Sequence, residues 1–350
     1  MRPLAAICAV VIGLAASMAS AQPPATPGPY KLLRTVKAGG EGGFDYVYAD
    51  VANRRLYVPR SGPTARVSVF DLDTLAPAGE IAGISGHGAA VDPRSGHGFV
   101  SSKPVAMWDA RTLALIKTID VQGNPDGILG DPTDQRIYVL SHAAPNVTVI
   151  NAVDGAVLGT IDIGGAPEQA VTDGKGHLYI DVEDKDQIAV VDARTLSVTG
   201  KYGLEGKCGT PAGLAFDVRN HVLFAACRNP ATMTMLNSDT GAILASLPIG
   251  VGVDGATFNP ATMEAFSSQG DGTLTVVKDL SPTSFAVEQT VQTQTGAKVL
   301  TLDVKTGRIL LTAAEFGPPP PVAAAPAGPP GRPRRGPMLP GSFVILAVGK

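Results

Sequence analysis

The feature that most constrains this sequence is a short junction that recurs about every 40 residues. One copy is Pro125-Asp126-Gly127-Ile128-Leu129-Gly130-Asp131, and we take its last aspartate as the marker of a repeat. The markers, spaced 42, 39, 42, 44, 42 and 44 residues apart, are Asp50, Asp92, Asp131, Asp173, Asp217, Asn259 and Asp303. A polar turn and then an apolar run follow the markers, and this combination predicts β-hairpins with the markers as turn residues.

A period near 40 residues with four short strands per unit is typical of a β-propeller. Seven markers therefore predict an all-β fold, a seven-bladed β-propeller with four-stranded blades over residues 30–350. Residues 30–38 have the pattern of an outermost strand with no blade of its own, and the last repeat lacks such a strand. We expect the N-terminal strand to complete the last blade, since this removes the open edge of an incomplete ring.

Three segments lie outside this pattern. Residues 1–21 carry Arg2, an apolar core and a small-residue cleavage motif, which predict a signal peptide cleaved near Ala21 and a periplasmic or secreted protein with no transmembrane segment once mature. The proline-rich residues 22–29 predict a disordered lead-in. Residues 317–341, also proline-rich, predict a surface loop inserted in the last blade.

Cys208 and Cys227 are the two cysteines that remain after residues 1–21. An even number of cysteines in an exported protein favours a disulfide. The propeller would bring the two to the same face, so we expect a Cys208–Cys227 bond, with two buried free thiols as the alternative.

The position five residues before each marker lies where the innermost strands enter the central channel. These seven ring positions are Asp45, His87, Asp126, Glu168, Ala212, Asp254 and Lys298. Six are ionisable in a chain with only 17% charged residues. Carboxylates that share a channel mouth repel one another unless a cation, a proton or Lys298 compensates them.

The ring composition suggests a divalent cation. His87, Asp126, Glu168 and Asp254 are the candidate ligands, with oxygen atoms suited to Ca²⁺, Mg²⁺ or Mn²⁺ and an imidazole that admits Zn²⁺. His87 and Glu168 are the candidate catalytic bases if the site is an enzyme's. As an alternative, polar side chains line a water-filled channel or tie the blades together.

Loops after the second strand of each blade should reach the same face. Arg60, His142 and Arg228 lie in such loops, and with the six ionisable ring residues they form the predicted ligand-binding set for a polar or anionic small molecule. Loss of Arg2 with the signal segment changes the formal net charge from −3 to −4, and no basic face is evident, so nucleic acid is an unlikely partner. No motif for haem, a nucleotide or flavin is present, and we expect a monomer.

Several segments resemble the YncE-like family of exported bacterial proteins with YVTN-type propeller repeats. They include Gly40–Asp45, Arg55–Val58, Asn124–Asp126, Ala166–Glu168, Pro211–Ala215 and Gly252–Asp254. The resemblance implies a seven-bladed propeller in the periplasm and no particular activity.

Two hypotheses for function follow. The first is a periplasmic binding or scaffold protein that recognises a small polar ligand or a periplasmic partner protein at the channel mouth. The second is a divalent-metal-dependent lyase or lactone hydrolase, similar in outline to the streptogramin lyase and gluconolactonase propellers.

Overall fold

A computed structural model describes residues 24–319 and 336–350. The predicted signal peptide and residues 320–335 of the predicted insert lie outside the described residues, so both remain predictions. Within the described part, Thr26 exchanges hydrogen bonds with Thr290 of the sixth blade, at 3.1 and 2.8 Å. The predicted lead-in therefore contacts the propeller through at least this residue.

Seven antiparallel four-stranded sheets form a ring, which confirms the predicted fold class. Each blade runs from an innermost strand beside the channel to an outermost strand. In that order, blade 1 is Gly43–Phe44 with Tyr48–Asp50, Arg55–Ser61, Arg66–Asp71 and Pro77–Ala82; blade 2 is Gly86–Asp92, His97–Ser102, Val105–Asp109 and Leu115–Ile119; blade 3 is Pro125–Asp131, Arg136–Ser141, Val147–Asn151 and Val157–Ile161; blade 4 is Pro167–Thr172, His177–Val182, Gln187–Asp192 and Ser197–Gly203.

The remaining blades continue the same order. Blade 5 is Gly209–Asp217, Val222–Asn229, Ala231–Asn237 and Ile243–Pro248; blade 6 is Val253–Asn259, Glu264–Gln269, Thr273–Ser281 and Ser284–Gln292; blade 7 is Leu300–Asp303, Arg308–Ala313, Val344–Gly349 and Lys31–Lys37. The one helix in the described residues is a 3-10 turn, Glu183–Lys185. No helix in this part of the chain has the length and apolarity to cross a membrane.

The ring closes through the N-terminal strand, as predicted. Lys31–Lys37 pairs antiparallel with Val344–Gly349, from Lys31 opposite Gly349 to Lys37 opposite Val344. Glu264 of blade 6 secures this closure: its fully buried carboxylate accepts hydrogen bonds from the Tyr30 hydroxyl at 2.5 Å and the Lys350 ammonium at 2.9 Å. The residue before the N-terminal strand and the residue after its partner strand are thus tied to one side chain.

The markers form turns, which confirms their predicted role. In each hairpin the marker side chain accepts a hydrogen bond from a backbone N–H two or three residues later, as Asp131 does from Thr133 at 2.8 Å and Asp217 from Arg219 at 2.9 Å. Even the variant marker Asn259 makes this contact, with Ala261 at 3.0 Å. The turns fix the register of the innermost strands and hence place the ring positions at the opposite end of those strands.

The apolar core is divided among the blade junctions. Seven buried clusters can be distinguished in the described residues, and each combines side chains of two neighbouring blades. β-Branched residues of the middle strands, such as Val147–Asn151, supply much of this packing. The blades are held face to face by these clusters, which leaves the channel mouth to the polar ring.

Candidate functional site at the channel mouth

The structure brings the ring positions of the first four blades into direct contact. His87 Nδ1 lies 3.4 Å from an oxygen of Asp45 and 3.2 Å from an oxygen of Asp126. The other oxygen of Asp126 lies 3.1 Å from His142 Nε2, which is also 3.1 Å from Glu168. Asp126 therefore links two imidazoles, and we call these five residues the acid–histidine half of the ring.

Burial and mutual repulsion set the charge of this half. Burial, reinforced by the carboxylates of Asp45 and Glu168, raises the pKa of Asp126 to about 6. The hydrogen bond to Glu168, with the nearby charge of Asp126, outweighs burial and raises the pKa of His142 to about 9. The hydrogen bond to Asp45 likewise raises the pKa of His87. The surrounding carboxylates thus favour the cationic form of both imidazoles.

Blades 4 to 7 complete the ring differently, through two cationic side chains. Arg228 Nη2 lies 3.3 Å from Glu168 Oε1 and contacts Asp254 Oδ1, while its Nη1 contacts Glu183. Lys298 contacts the other carboxylate oxygen of Asp254. Arg228, Asp254, Lys298 and Glu183 form what we call the cation-clamped half, which meets the acid–histidine half at Glu168.

Arg228 occupies the gap in the ring at blade 5. Ala212, the one apolar ring position, is fully buried, and Arg228 from the next strand of the same blade spans from Glu168 of blade 4 to Asp254 of blade 6. Its neighbour Cys227 forms the predicted disulfide with Cys208, with a Cα–Cα distance of 5.2 Å. The bond joins the strand that carries Arg228 to the entry of the innermost strand, so it helps to position the guanidinium.

Two side chains cross the channel beneath the ring. The Tyr46 hydroxyl of blade 1 donates to the backbone carbonyl of Glu168 in blade 4, on the far side, at 2.8 Å. The Gln169 amide donates to Ala256 O at 2.9 Å and its oxygen accepts from Ala256 N and Leu214 N at 3.1 and 3.0 Å. These bridges, beside a cavity of about 310 Å³, give the mouth a floor.

A buried carboxyl group supports this floor. Asp181 is fully buried, and its Oδ1 accepts from the backbone N–H groups of Glu168 and Gln169, at 3.3 and 2.5 Å. Its other oxygen has no hydrogen-bond partner among the residues that the structure describes. Burial raises the pKa of Asp181 well above its ordinary value, which favours the neutral acid and avoids another charge below Glu168.

Two predicted site residues lie in surroundings that differ from those expected. Arg60 is only 1% exposed; its guanidinium lies 3.9 Å from the centre of the Phe343 ring and donates to Gly42 O at 3.1 Å. The structure therefore does not bring Arg60 to the ring, since it fills an apolar cluster between blades 7 and 1. Asp254, a predicted metal ligand, has both oxygens engaged by Arg228 and Lys298 instead.

The remaining predicted residues do meet: Asp45, His87, Asp126, Glu168, His142, Arg228 and Lys298. Sequence reasoning missed Tyr46, Gln169, Asp181 and Glu183. Tyr46 and Gln169 directly follow the ring positions Asp45 and Glu168, and this adjacency could have indicated that their side chains lie near the mouth. Asp181 and Glu183 belong to the second strand and the turn after it, where no repeat-wide pattern marks them.

The acid–histidine half has the ligand types for a divalent cation. Two groups, Asp45–His87–Asp126 and Asp126–His142–Glu168, each offer three ligand atoms within 4.8 Å of one another. Carboxylate oxygen with imidazole nitrogen suits Mn²⁺ and Zn²⁺. A cation there would compensate the charge of these carboxylates in place of bound protons.

Comparisons with known proteins support the fold and go no further. No family model matches this chain, and no curated protein matches it. A chain from a crystal structure of the mitotic checkpoint complex superposes with a TM-score of 0.69 over 87% of this chain and 96% of that one, at 11% sequence identity. At that identity the likeness shows a shared propeller fold alone.

Proposed function

We propose that this chain is a binding propeller that recognises a small polar ligand at the channel mouth. The observation that carries the proposal is the convergence of charged side chains from all blades on one floored recess, with a surplus of carboxylates on one side. Concave sites with a few convergent polar groups are where proteins bind small molecules. The alternative within this proposal is that a partner protein, and not a small ligand, binds at the channel mouth.

The charges of the recess suggest how binding would work. Asp126 and Glu168 are both at least nine-tenths buried; Asp45 and Asp126 contact imidazoles, and Glu168 contacts His142 and Arg228. A divalent cation in either group would neutralise them without protons, and would leave open coordination positions for oxygen atoms of a ligand. Arg228 and Lys298 would then border the same ligand from the opposite side.

We also propose that the protein acts after export, as a member of the YncE-like family. The signal-like residues 1–21 and the quoted repeat segments support this assignment. The Cys208–Cys227 disulfide supports it independently, since such bonds persist in oxidising compartments such as the periplasm.

Calorimetric titration of the purified protein with MnCl₂ and with ZnCl₂, after removal of metal by a chelator, tests the proposal. We expect stoichiometric binding of at least one of them, weakened at least tenfold by His142→Gln because that variant removes an imidazole ligand. The matched control His97→Gln changes a histidine of a blade junction and should leave affinity within twofold. Absence of binding, or equal weakening by both variants, would contradict a cation site at the ring.

The lyase or lactone hydrolase alternative stays a prediction from the sequence, as no observation on the described residues favours it over binding. Its test uses the same variants. Hydrolysis of a simple lactone by the purified protein, abolished by Glu168→Gln, would replace the binding proposal with a catalytic one.

A further inference from the structure

A repeated contact joins neighbouring blades at the end of the strands opposite to the ring. The first residue of a blade's second strand reaches a backbone carbonyl just after the third strand of the next blade. Arg55 contacts Ala110 O, His97 donates to Ala152 O at 3.0 Å, Arg136 contacts Ala193 O, and Arg308 donates to Leu72 O at 2.7 Å. These side chains fill four of the blade junctions.

The junction between blades 4 and 5 departs from this pattern. His177 occupies the equivalent position, but its Nδ1 bonds to Asp173 of its own blade at 2.8 Å. The carbonyl it would have reached, that of Ser238, instead accepts from the Tyr202 hydroxyl at 2.8 Å. A cavity of about 450 Å³ lies where those four junctions have their filling side chain.

Aromatic and aliphatic side chains form the inner wall of this cavity. Tyr179 and Phe216 meet edge to face with ring centres 5.2 Å apart, and Tyr202 and Val190 extend the wall. Phe216 and Tyr202 are only half-buried, so parts of their rings face the open space. Aromatic walls favour flat, apolar ligand groups through stacking and edge contacts.

The rim of the cavity is rich in hydrogen-bond acceptors. His221 Nδ1 lies 2.9 Å from Asp239, which mirrors the contact of His177 with Asp173. Because a carboxylate can only accept, each Nδ1 carries the proton and donates it to the paired carboxylate. The carboxylates of Asp173 and Asp239 thus present acceptors around an aromatic wall, with Lys175 as an exposed donor.

We propose that this cavity, which we call the blade 4–5 pocket, is a second binding site, for a small aromatic molecule bearing hydroxyl or amino groups. The ring of such a ligand would pack against Tyr179, Tyr202 and Phe216, and its donors would meet the carboxylates of Asp173 and Asp239 at the rim. The volume falls within the range of roughly 300–1,000 Å³ usual for small-molecule sites. The site does not depend on the ring at the mouth, because it lies at the opposite end of the same strands.

Tyramine, which carries an aromatic ring, a hydroxyl and an ammonium group, is a suitable probe. We expect saturable binding by ligand-observed NMR, and at least tenfold weaker binding of cyclohexylethylamine, which keeps the ammonium but lacks the aromatic ring. The decisive variant is His177→Arg, since arginine fills the same position in blades 1, 3 and 7. It should weaken tyramine binding at least tenfold.

His97→Arg is the matched control, because it makes the same substitution at the equivalent position of a junction that is already filled. It should leave tyramine binding within twofold. Thr199→Trp, on the exposed outer strand that lines the cavity, gives a second way to occlude it if His177→Arg melts at a lower temperature than the parent. No saturable binding, equal affinity for cyclohexylethylamine, or unchanged binding in both occluding variants would overturn the proposal.

Discussion

The two halves of the ring come from the same repeat position, yet they balance charge in different ways. In the acid–histidine half, Asp126 is shared by two imidazoles whose cationic form depends on bound protons. In the cation-clamped half, Asp254 is held between Arg228 and Lys298, which are cationic at any pH near neutral. One half can therefore exchange its compensating charge, and the other carries it permanently.

The charge balance at a ring position depends on the side chains that neighbouring blades place beside it. Glu168 and Asp254 are both about 5% exposed and occupy equivalent places in blades 4 and 6. Glu168 receives one bond from His142 and one from Arg228, so it belongs to both halves. Asp254 receives only permanent cations, which leaves it unsuited to a metal.

Arg228→Met should produce the largest effect on this arrangement. The substitution keeps an unbranched side chain but removes the charge that faces Glu168, Glu183 and Asp254, of which two are buried. Breaking a buried ion pair from one side costs about 3–5 kcal/mol because the other charges stay buried. We expect a loss of that size in the free energy of unfolding, measured by urea denaturation at pH 7.

Arg194→Met is the matched control for this prediction. Arg194 has a side chain 86% exposed and lies 3.9 Å from Asp192, so its loss should be hard to measure. A cost below about 1 kcal/mol for Arg228→Met would mean that the clamp is not a stabilising unit, and that the two halves differ less than their geometry indicates.

The fold was predictable because its signals are local and repeated. Markers such as Asp131 fix a turn through a contact two residues away, so each repeat reports its own hairpin. The closure by residues 31–37 followed from counting strands, since one blade lacked an edge that another segment could supply. Neither inference needed contacts between distant side chains.

The site was only partly predictable, because its pairings depend on side chains that reach between blades. The pattern placed Asp126, Glu168, His142 and Arg228 on the face of the mouth, but it did not show that His142 would bond to both carboxylates or that Arg228 would fill the place of Ala212. For Arg60 the prediction was wrong. Its position in the repeat predicts a place at the rim of the mouth, whereas its guanidinium packs against the ring of Phe343 in an apolar cluster.

His142→Gln tests the difference between the two halves through the pH dependence of stability. The folded protein raises the pKa of His142 from 6.5 to about 9, so the proton stabilises the fold fully below pH 6.5 and that contribution is lost as the pH rises toward 9. Since the side chain is partly exposed, we expect a change of about 2 kcal/mol over this window. Urea denaturation in the presence of a chelator, at pH 6.5 and 9, measures it.

The variant should lose this dependence between pH 6.5 and 9, whereas His97→Gln, outside the ring, should keep it. Asp126 should contribute little between pH 6.5 and 9, because its pKa of about 6 lies below this window. Burial destabilises the charged form of Asp126, so its cost to the stability of the fold grows as the pH rises from about 4 to 6. An unchanged profile in His142→Gln would show that the acid–histidine half is no more sensitive to protons than the clamp.

Lys298→Met should have the smallest effect, because it removes one of two cations from Asp254 and leaves Arg228 in place. The Lys298 side chain is partly exposed, so solvent weakens its interaction, and we expect a loss of about 1 kcal/mol at pH 7 by urea denaturation. In the double variant with Arg228→Met, Asp254 loses both partners, and the combined loss should exceed the sum of the single losses. Strict additivity would mean that the two cations act on separate groups, and that Asp254 is not the shared centre of the clamp.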